Sequence, residues 1–277
     1  MPKAFSPIIK IAKYTITDEV RQRSFIVMFV ICALFVFLVR GCYHGSYMMN
    51  GQEIEAGETV RMVSKMTFNV IVFGVMFLAG LLSMRVFRRD RDDGTQSSIL
   101  SKPISQWQYI AGKVIGLWVL LIIFMFILHC IVFVIAFINA GIVMPEYLAA
   151  SLLCSLNLLF VIVAVLLLSL MMPDIAALLS VMAVGIIGII SDAIHAVSSS
   201  MAQAVMQQQG QQSGSAFWKV IYYLWPKLSG AQHFASSFIG GEELSEPASL
   251  YPLINVIVYC LILGALLIQR FANEDIV

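Results

Sequence analysis

The chain has 277 residues, of which 60% are hydrophobic and only 12% are charged, and its mean hydropathy is +0.90. These values exclude a soluble globular domain and predict an integral membrane protein. The formal net charge of +1 says nothing about partners, because in a membrane chain the positions of the charges carry the information.

The first predicted element is an amphipathic helix over residues 6–23. Ser6 and Pro7 suit its N-cap and first helical position. Apolar residues then recur at helical spacing, with the basic residues off their stripe, which consists of Phe5, Ile8, Ala12, Ile16 and Val20. We expect this helix to lie in the inner membrane interface; a generic basic anchor is the alternative interpretation.

Six stretches are long enough to cross a hydrocarbon core, which needs about 20 apolar residues per helix. They cover residues 24–43, 67–86, 114–138, 147–172, 175–194 and 250–268. Pro173 and Asp174 separate the fourth from the fifth, because proline ends a helix and aspartate caps the next. The predicted fold is therefore an all-α integral membrane protein with one domain over residues 1–277, and an even number of spans puts both termini on one side.

The distribution of lysine and arginine predicts which side that is. If the N-terminus is cytoplasmic, twelve basic residues lie on the inner side: Lys3, Lys10, Lys13, Arg21, Arg23, Arg85, Arg88, Arg89, Arg91, Lys102, Lys113 and Arg270. Five lie on the outer side: Arg40, Arg61, Lys65, Lys219 and Lys227. Basic residues favour the cytoplasmic side, so both termini are predicted to be cytoplasmic.

Residues 88–113 form the longest polar run, between the second and third spans. Asp93 suits the cap of a short helix that ends before Pro103. Ser105 and Gln108 have the spacing of a capping box, so the third membrane helix is predicted to begin at Ser105. A rigid polar helix of this kind suits a soluble partner, because an unstructured loop would lose more entropy on binding.

Two other features of this run bear on what it contacts. Its arginines could instead anchor the helix end at anionic headgroups; they are Arg88, Arg89 and Arg91. Ile99 and Leu100 are the only large aliphatic residues between Phe87 and Pro103. We expect these two side chains to stand in water unless a groove of the partner takes them.

The outer loops are the other candidate location for function. Residues 45–66 are interpreted as a solvated connector, with a specific binding role as the alternative. Residues 195–249 begin with a Gln/Ser-rich tract typical of a flexible or frayed helical segment. An aromatic cluster follows, predicted to be a helix resting on or dipping into the outer leaflet, or else a plain aromatic belt; it contains Phe217, Trp218, Ile221, Tyr222, Leu224 and Trp225.

Polar and small residues within the spans favour packing over chemistry. His129 beside Cys130 lacks a third ligand at helical spacing, so an interhelical hydrogen bond is predicted for it. Asp192 and His195 are assigned to a helix end, not to catalysis. A stripe of small residues is predicted to pack helices together; it comprises Ala176, Ser180, Gly185 and Gly188. The five cysteines do not form a disulfide framework.

Several residues around the polar run resemble the permease subunit of a type 2 ABC exporter. They are Asp92, Asp93, Gly94, Thr95, Leu100, Pro103, Ser105, Gly112 and Lys113. The stretch 222–226 is also similar to the permeases of gliding-motility and copper-site-maturation systems. Gln106 departs from the arginine of many members, and Ser98-Ile99-Leu100 departs from their common leucine pair.

The resemblance implies an N-terminal elbow helix, six spans and a coupling helix that docks on a separate ATPase. It assigns that coupling role to Asp92, Asp93, Gly94, Thr95, Gln96, Ser97, Ser98, Ile99 and Leu100. Residues 111–114 contain the Gly-Lys pair of a phosphate-binding loop but lack its upstream glycine, and Val114 replaces its Ser/Thr, so ATP and magnesium are expected in the partner. No catalytic, cofactor or metal residue is expected in this chain.

The implied partners are ABC ATPase subunits, a second permease copy or a related permease, and membrane lipid, in a bacterial inner membrane. Nucleic acid is not among them. The spans lack a charged lining, which favours an amphipathic cargo over a small ion. Two alternatives remain: a non-transporting scaffold or mechanotransmitter driven by an ATPase, and an intramembrane enzyme, for which converging catalytic groups are missing.

Overall fold

The computed structural model describes residues 5–38, 41, 48–49, 52–53, 56–101, 104–141, 143–206, 224–240 and 250–273, and it is almost entirely helical. In chain order the helices are α1 (Phe5–Arg21), α2 (Arg23–Leu38), α3 (Ala56–Ser83), α4 (Val86–Asp92), α5 (Thr95–Leu100), α6 (Gln106–Ala140), α7 (Pro145–Ser169), α8 (Asp174–Met206), α9 (Leu228–Gly240) and α10 (Tyr251–Ala272). Between α2 and α3, strands Met48–Met49 and Gln52–Glu53 pair antiparallel.

Helix α1 occupies the position predicted for the elbow and packs along the start of α6. Its buried face includes Ile8, Ile11 and Ala12, whereas Val20, which the sequence placed on the apolar stripe, is 41% exposed. Helix α2 turns away from α1 by 71°. The chain thus changes direction sharply between α1 and α2, as an elbow before a first span requires.

The core of the bundle is α7, which contacts α3, α6, α9 and α10. Fifteen of its 25 residues are buried, including a run of eight from Phe160 to Leu167, the pattern of a helix enclosed on most of its surface. In contrast, α8 and α10 leave apolar side chains exposed along one side; they include Ile175, Leu179, Ile186, Ile190, Ile254, Leu261 and Leu266. Exposed apolar surface of this extent suits lipid or another membrane helix and not water.

Five helical segments in the described part of the chain are long and apolar enough to cross a membrane: α3 with α4, α6, α7, α8 and α10. Helix α2 becomes a sixth when it is counted with α1, to which it is joined by the bend. These segments correspond to the six predicted spans. The six-span, all-α prediction is therefore confirmed, although several boundaries differ.

Helix boundaries differ where polar residues continue a helix beyond its apolar stretch. Helix α3 begins at Ala56, eleven residues before the predicted start at 67, so half of the predicted connector 45–66 is helical. Helix α8 continues to Met206, well past the predicted end at 194. Hydropathy marks only the apolar part of a helix, because its hydrogen bonds continue wherever the backbone is not interrupted.

Helix α9 was not predicted. It has 13 residues, which is too short to span a bilayer, and it carries Ser, Gln and His among its apolar residues. It packs against α3, α7, α8 and α10. Most of the aromatic helix predicted over 217–225 lies outside the described residues: Phe217, Trp218, Ile221 and Tyr222.

Candidate functional site

The predicted coupling residues form a corner between α4 and α5, here called the α4–α5 corner (Val86–Leu100). Asp93 ends α4, because its backbone N–H donates to the Arg89 carbonyl at 2.9 Å. The expectation that Asp93 caps α5 is therefore wrong. Gly94 turns the chain with φ of 65°, a left-handed conformation that glycine adopts without steric cost. Its carbonyl accepts the Ser98 N–H at 3.2 Å, so α5 starts directly after it.

The surface of the corner is mixed in polarity and exposure. Asp92, Asp93 and Ser98 are exposed, and Gln96 is buried. Gly94, Thr95 and Ile99 are half-buried, and the side chains of Ser97 and Leu100 lie outside the described residues. Ile99 packs against the core of its own chain, so the expectation that it stands in water is wrong. The outward surface of the corner therefore carries charges of both signs, because Arg88 and Arg91 are exposed beside Asp92 and Asp93.

A buried ion pair fastens α4 to α6. Lys113 is fully buried, and its Nζ lies 2.6 Å from Oδ2 of Asp90, which is 2% exposed. The Tyr109 hydroxyl donates to the same carboxylate oxygen. The Lys113 ammonium also faces the ring of Tyr14 on α1, at 5.5 Å from its centre. Removing one partner from a buried pair leaves an uncompensated charge and costs about 3–5 kcal/mol, so this contact resists separation.

A second group of ion pairs fastens α4 to α1. One Nη atom of Arg89 lies 2.5 Å from Asp18 and 2.7 Å from Glu19. Glu19 is 1% exposed, and the Gln22 side chain donates to its other oxygen at 2.9 Å. Burial raises the pKa of the Glu19 carboxyl, while the Arg89 guanidinium acts in the opposite direction. Arg89 is therefore the cation that makes burial of this carboxyl tolerable.

Weaker contacts extend the network to α8 and α10. Arg88 lies 3.4 Å from Asp174, the first residue of α8, and the arginine is largely exposed. The ring of Phe271, near the end of α10, lies 5.3 Å from that of Phe87 and 5.7 Å from that of Tyr109. The α4–α5 corner is thus attached to α1, α6, α8 and α10. We call this end of the bundle the charged end, and the end where α6 meets α7 the far end.

Two glycines of α6 let α1 approach closely. A Cβ at Gly112 would lie 2.7 Å from Cβ and Cγ2 of Ile11. A Cβ at Gly116 would lie 2.9 Å from the Ala12 carbonyl oxygen and from Cβ of Thr15. Both distances are too short for a side chain, so only glycine permits this packing. Gly112 belongs to the motif that carries the family resemblance, whereas sequence reasoning missed Gly116, four residues later on the same face.

The third helix begins as predicted. Ser105 is the N-cap of α6, and its backbone N–H donates to Oε1 of Gln108 at 3.1 Å, which is one half of a capping box. The start of α6 is therefore fixed by local sequence. This start also sets the positions of Tyr109 and Lys113 one and two turns later.

A second polar cluster surrounds the start of α9. Lys227 Nζ lies 2.6 Å from Asp192 on α8, and the Ser229 hydroxyl donates to the same carboxylate. The Lys227 backbone N–H donates to Asn255 on α10 at 3.0 Å. Because α8 continues to Met206, Asp192 lies inside the helix. The helix-end role predicted for Asp192 is therefore wrong, and the side chain of His195 is outside the described residues.

The start of α9 lies deep in the bundle. Asn157, the thirteenth of the 25 residues of α7, donates to the Leu228 carbonyl at 2.9 Å. Gln232, one turn into α9, donates to Oδ1 of Asn69 on α3 at 3.0 Å. The chain therefore reaches the middle of α7 before α9 begins. Each of α3, α7, α8 and α10 contributes one polar side chain that holds this segment.

The remaining predicted residues have structural contacts. His129 is fully buried, lies 2.8 Å from the Ser151 hydroxyl on α7 and stacks on Phe68, which confirms the predicted interhelical hydrogen bond. Trp225 donates its indole N–H to the Val184 carbonyl at 3.2 Å. Trp225 thus packs on α8, and its place at the outer interface remains a prediction.

The small-residue stripe has one clear packing contact in the chain. A Cβ at Gly188 would lie 3.4 Å from the Trp225 ring, whereas a Cβ at Gly185 would have no described neighbour within 4 Å. Ala176 is half-buried, and Ser180 donates to the sulfur of Met172 at 3.8 Å. Packing of the other three against a further helix remains a prediction.

An open apolar groove of about 770 Å³ lies between α2 and α6 near the far end. Its lining has no charged residue and consists of Phe37, Phe126, Ile127, Cys130, Ile131, Val134, Ile135 and Ile138. Among the described residues, no group of three or more His, Cys, Asp or Glu side chains is placed to hold a metal ion. The polar chemistry of the described chain is thus concentrated at the charged end and around α9.

Comparison with known proteins identifies the family. A family model described as "ABC-2 family transporter protein" matches residues 9–276, which is nearly the whole chain. A search of curated proteins finds no match. The matched region includes α1, the α4–α5 corner and all the candidate spans. The chain therefore belongs to the ABC-2 transporter family, as a multi-pass transmembrane component of an ABC transporter.

Proposed function

We propose that this chain is the permease subunit of an ABC exporter, and that the α4–α5 corner binds a separate ATPase that holds ATP and magnesium. The main support for this proposal is that the corner is attached to four helices, α1, α6, α8 and α10. A surface that receives force must not deform locally, and buried ion pairs between Asp90 and Lys113 and between Glu19 and Arg89 provide that rigidity. A displacement of α4 would then move α1 and α6 with it.

The docking surface within the corner is best assigned to its exposed side chains. Asp92 and Asp93 are exposed at the turn into α5, as is Ser98. Basic residues of the ATPase would complement these two carboxylates, while the exposed Arg88 and Arg91 lie earlier on α4. Ile99 instead packs on its own chain. Substitution of Ile99 would disturb the permease fold and would not report on the partner alone.

A charge-reversal experiment tests this assignment. We expect Asp92→Lys with Asp93→Lys to reduce copurification of the ATPase in mild detergent by tenfold or more, because like charges would meet across the interface. The matched control is Glu58→Lys with Glu146→Lys, which reverses two exposed carboxylates near the far ends of α3 and α7. Undiminished ATPase in the corner variant, with normal permease yield, would refute the docking assignment.

The proposal requires the charged end to be cytoplasmic. Twelve of the chain's basic residues support that orientation. Single cysteines are introduced at the exposed positions Ser98 and Glu146, in a background without native cysteines. The cysteine at Ser98 should react with an impermeant thiol reagent only from the cytoplasmic side, and the cysteine at Glu146 only from the outer side. Reaction of the Ser98 cysteine from outside would overturn the orientation in a bacterial inner membrane.

We further propose that two copies, or this chain and a related permease, form the translocation pathway between them. The exposed apolar faces of α2 and α8 support this, since these faces need lipid or another helix. Cysteine cross-linking through α2 or α8 in native membranes should trap a permease dimer. An active transporter with a single permease copy would contradict the pairing.

A further inference from the structure

The surface of α1 that faces away from α6 is divided into two parts of opposite character. Successive residues of an α-helix are about 100° apart, so spacing defines three faces on α1. The buried face carries Ile8, Ala12, Thr15 and Glu19. The apolar flank carries Ile9, Ile16 and Val20, and the basic stripe carries Lys10, Lys13, Thr17 and Arg21.

Most side chains of both outward parts are exposed, whereas Ile16 of the flank is half-buried against the core. Ile9 is 65% exposed and Val20 is 41% exposed. Lys10, Lys13 and Arg21 are exposed as well. Water alone would suit the basic stripe but not the flank, and hydrocarbon would suit the flank but not the stripe. Only the boundary between lipid headgroups and acyl chains suits both at once.

The carboxylates of α1 do not neutralise the basic stripe. Asp18 and Glu19 are both engaged by Arg89 of α4, at 2.5 and 2.7 Å. Within the described part of the chain, no salt bridge involves Lys10, Lys13 or Arg21. Among the described residues, the stripe therefore presents three positive charges without a salt bridge, along one side of about three helical turns. A surface of this charge is complementary to lipid phosphates in an anionic leaflet.

We propose that α1 is an anionic-phospholipid binding surface, in which the basic stripe binds headgroup phosphates and the apolar flank lies among the acyl chains. Away from the stripe, Asp18 and Glu19 of α1 bind Arg89 of α4. Bound lipid would therefore fix the position of α1 and, through this contact, that of the α4–α5 corner. That second consequence rests on the proposed function, whereas lipid binding itself does not. Lipid composition would then set how firmly the corner is held.

The test measures lipid bound by the permease alone. The purified full chain is placed in vesicles of phosphatidylglycerol and phosphatidylcholine at one to three, extracted mildly, and the retained lipids are counted by native mass spectrometry. We expect the wild-type chain to retain phosphatidylglycerol in preference to phosphatidylcholine. Lys10→Gln, Lys13→Gln and Arg21→Gln should each reduce this preference, by up to about fivefold per charge removed.

Two controls separate the stripe from total charge and from misfolding. The triple variant Arg61→Gln, Arg85→Gln, Arg270→Gln also removes three exposed charges but leaves the stripe intact, so it should keep most of the preference. The charge-conserving variant Lys10→Arg, Lys13→Arg should behave like the wild type. Equal loss of preference in the Arg61, Arg85 and Arg270 variant would overturn the proposal.

The competing occupant of the stripe is the ATPase. If single substitutions in the stripe leave the lipid ratio unchanged but release the ATPase in lipid-free detergent, the stripe belongs to the protein interface and the lipid proposal is wrong. If the lipid ratio falls and the ATPase remains bound, the lipid proposal stands. Because the lipid measurement uses no ATPase, its outcome is independent of whether the α4–α5 corner is a docking surface.

Discussion

Replacing Gly116 with alanine tests whether the close packing of α1 on α6 maintains the charged end. The added Cβ would lie 2.9 Å from the Ala12 carbonyl oxygen and from Cβ of Thr15. Neither atom belongs to a flexible side-chain end, so neither can move aside alone. Comfortable contact needs about 3.5 Å, so α1 must shift by about 0.6 Å near this point.

The expected cost follows from two opposing terms. Overpacking of a tight contact costs about 1–3 kcal/mol, while alanine in place of glycine within a helix is worth roughly 0.5–1 kcal/mol. We therefore expect Gly116→Ala to destabilise the chain by up to about 2 kcal/mol. The same shift would lengthen the contact between Arg89 and Glu19, now 2.7 Å, to about 3.3 Å, beyond a good charged hydrogen bond.

The assay compares thermal unfolding in detergent with ATPase activity of the reconstituted complex. Gly74→Ala in α3 and Gly264→Ala in α10 are matched controls, because nothing lies within 4 Å of a Cβ at either position. Both controls should be neutral or slightly stabilising, whereas Gly116→Ala should lower the midpoint of unfolding and the coupled activity. If Gly116→Ala were as stable and active as Gly74→Ala, the packing argument would fail.

Three further predictions concern other contacts. Lys113→Met should cost about 3–5 kcal/mol, because it strands the buried Asp90 carboxylate, and the double variant Lys113→Met, Asp90→Leu should recover part of that loss in thermal unfolding. Lys227→Met should loosen the start of α9 from Asp192, so limited proteolysis of the membrane-embedded chain should cleave faster near α9. Unchanged cleavage would mean that the ion pair does not hold this segment. Gly94→Ala should cost about 1 kcal/mol through its positive φ, with no clash because nothing lies within 4 Å; an increase in the midpoint of unfolding would contradict the left-handed turn.

Features that depend on local sequence were predictable. The six apolar stretches, the elbow and the capping box at Ser105 each follow from spacing within a few residues. The hydrogen bond of His129 also followed from a general rule, since a buried imidazole in a span needs a partner from another helix. The identity of that partner, Ser151, did not.

Features that depend on distant pairs were not predictable. Arg89 and Glu19 are 70 positions apart, and nothing in either local sequence indicates the other. The sequence of α1 therefore did not predict that Asp18 and Glu19 would face α4 and bind Arg89. Helix α9 was missed for a different reason, because its 13 residues carry neither the length of a span nor the regular polarity of a surface helix. The role of Ile99 was misjudged because exposure was inferred from polar neighbours in sequence and not from packing.

The contact of Phe271 with Phe87 and Tyr109 has a consequence for how the chain is made. Phe271 is fully buried and lies near the end of α10, the last of the described helices, while the two rings that it contacts emerge from the ribosome more than 150 residues earlier. The aromatic cluster at the charged end can close only after α10 has entered the membrane. A nascent chain therefore lacks the Phe271 contact with Phe87 and Tyr109 until α10 is in place, and this contact distinguishes a chain that includes α10 from one that lacks it.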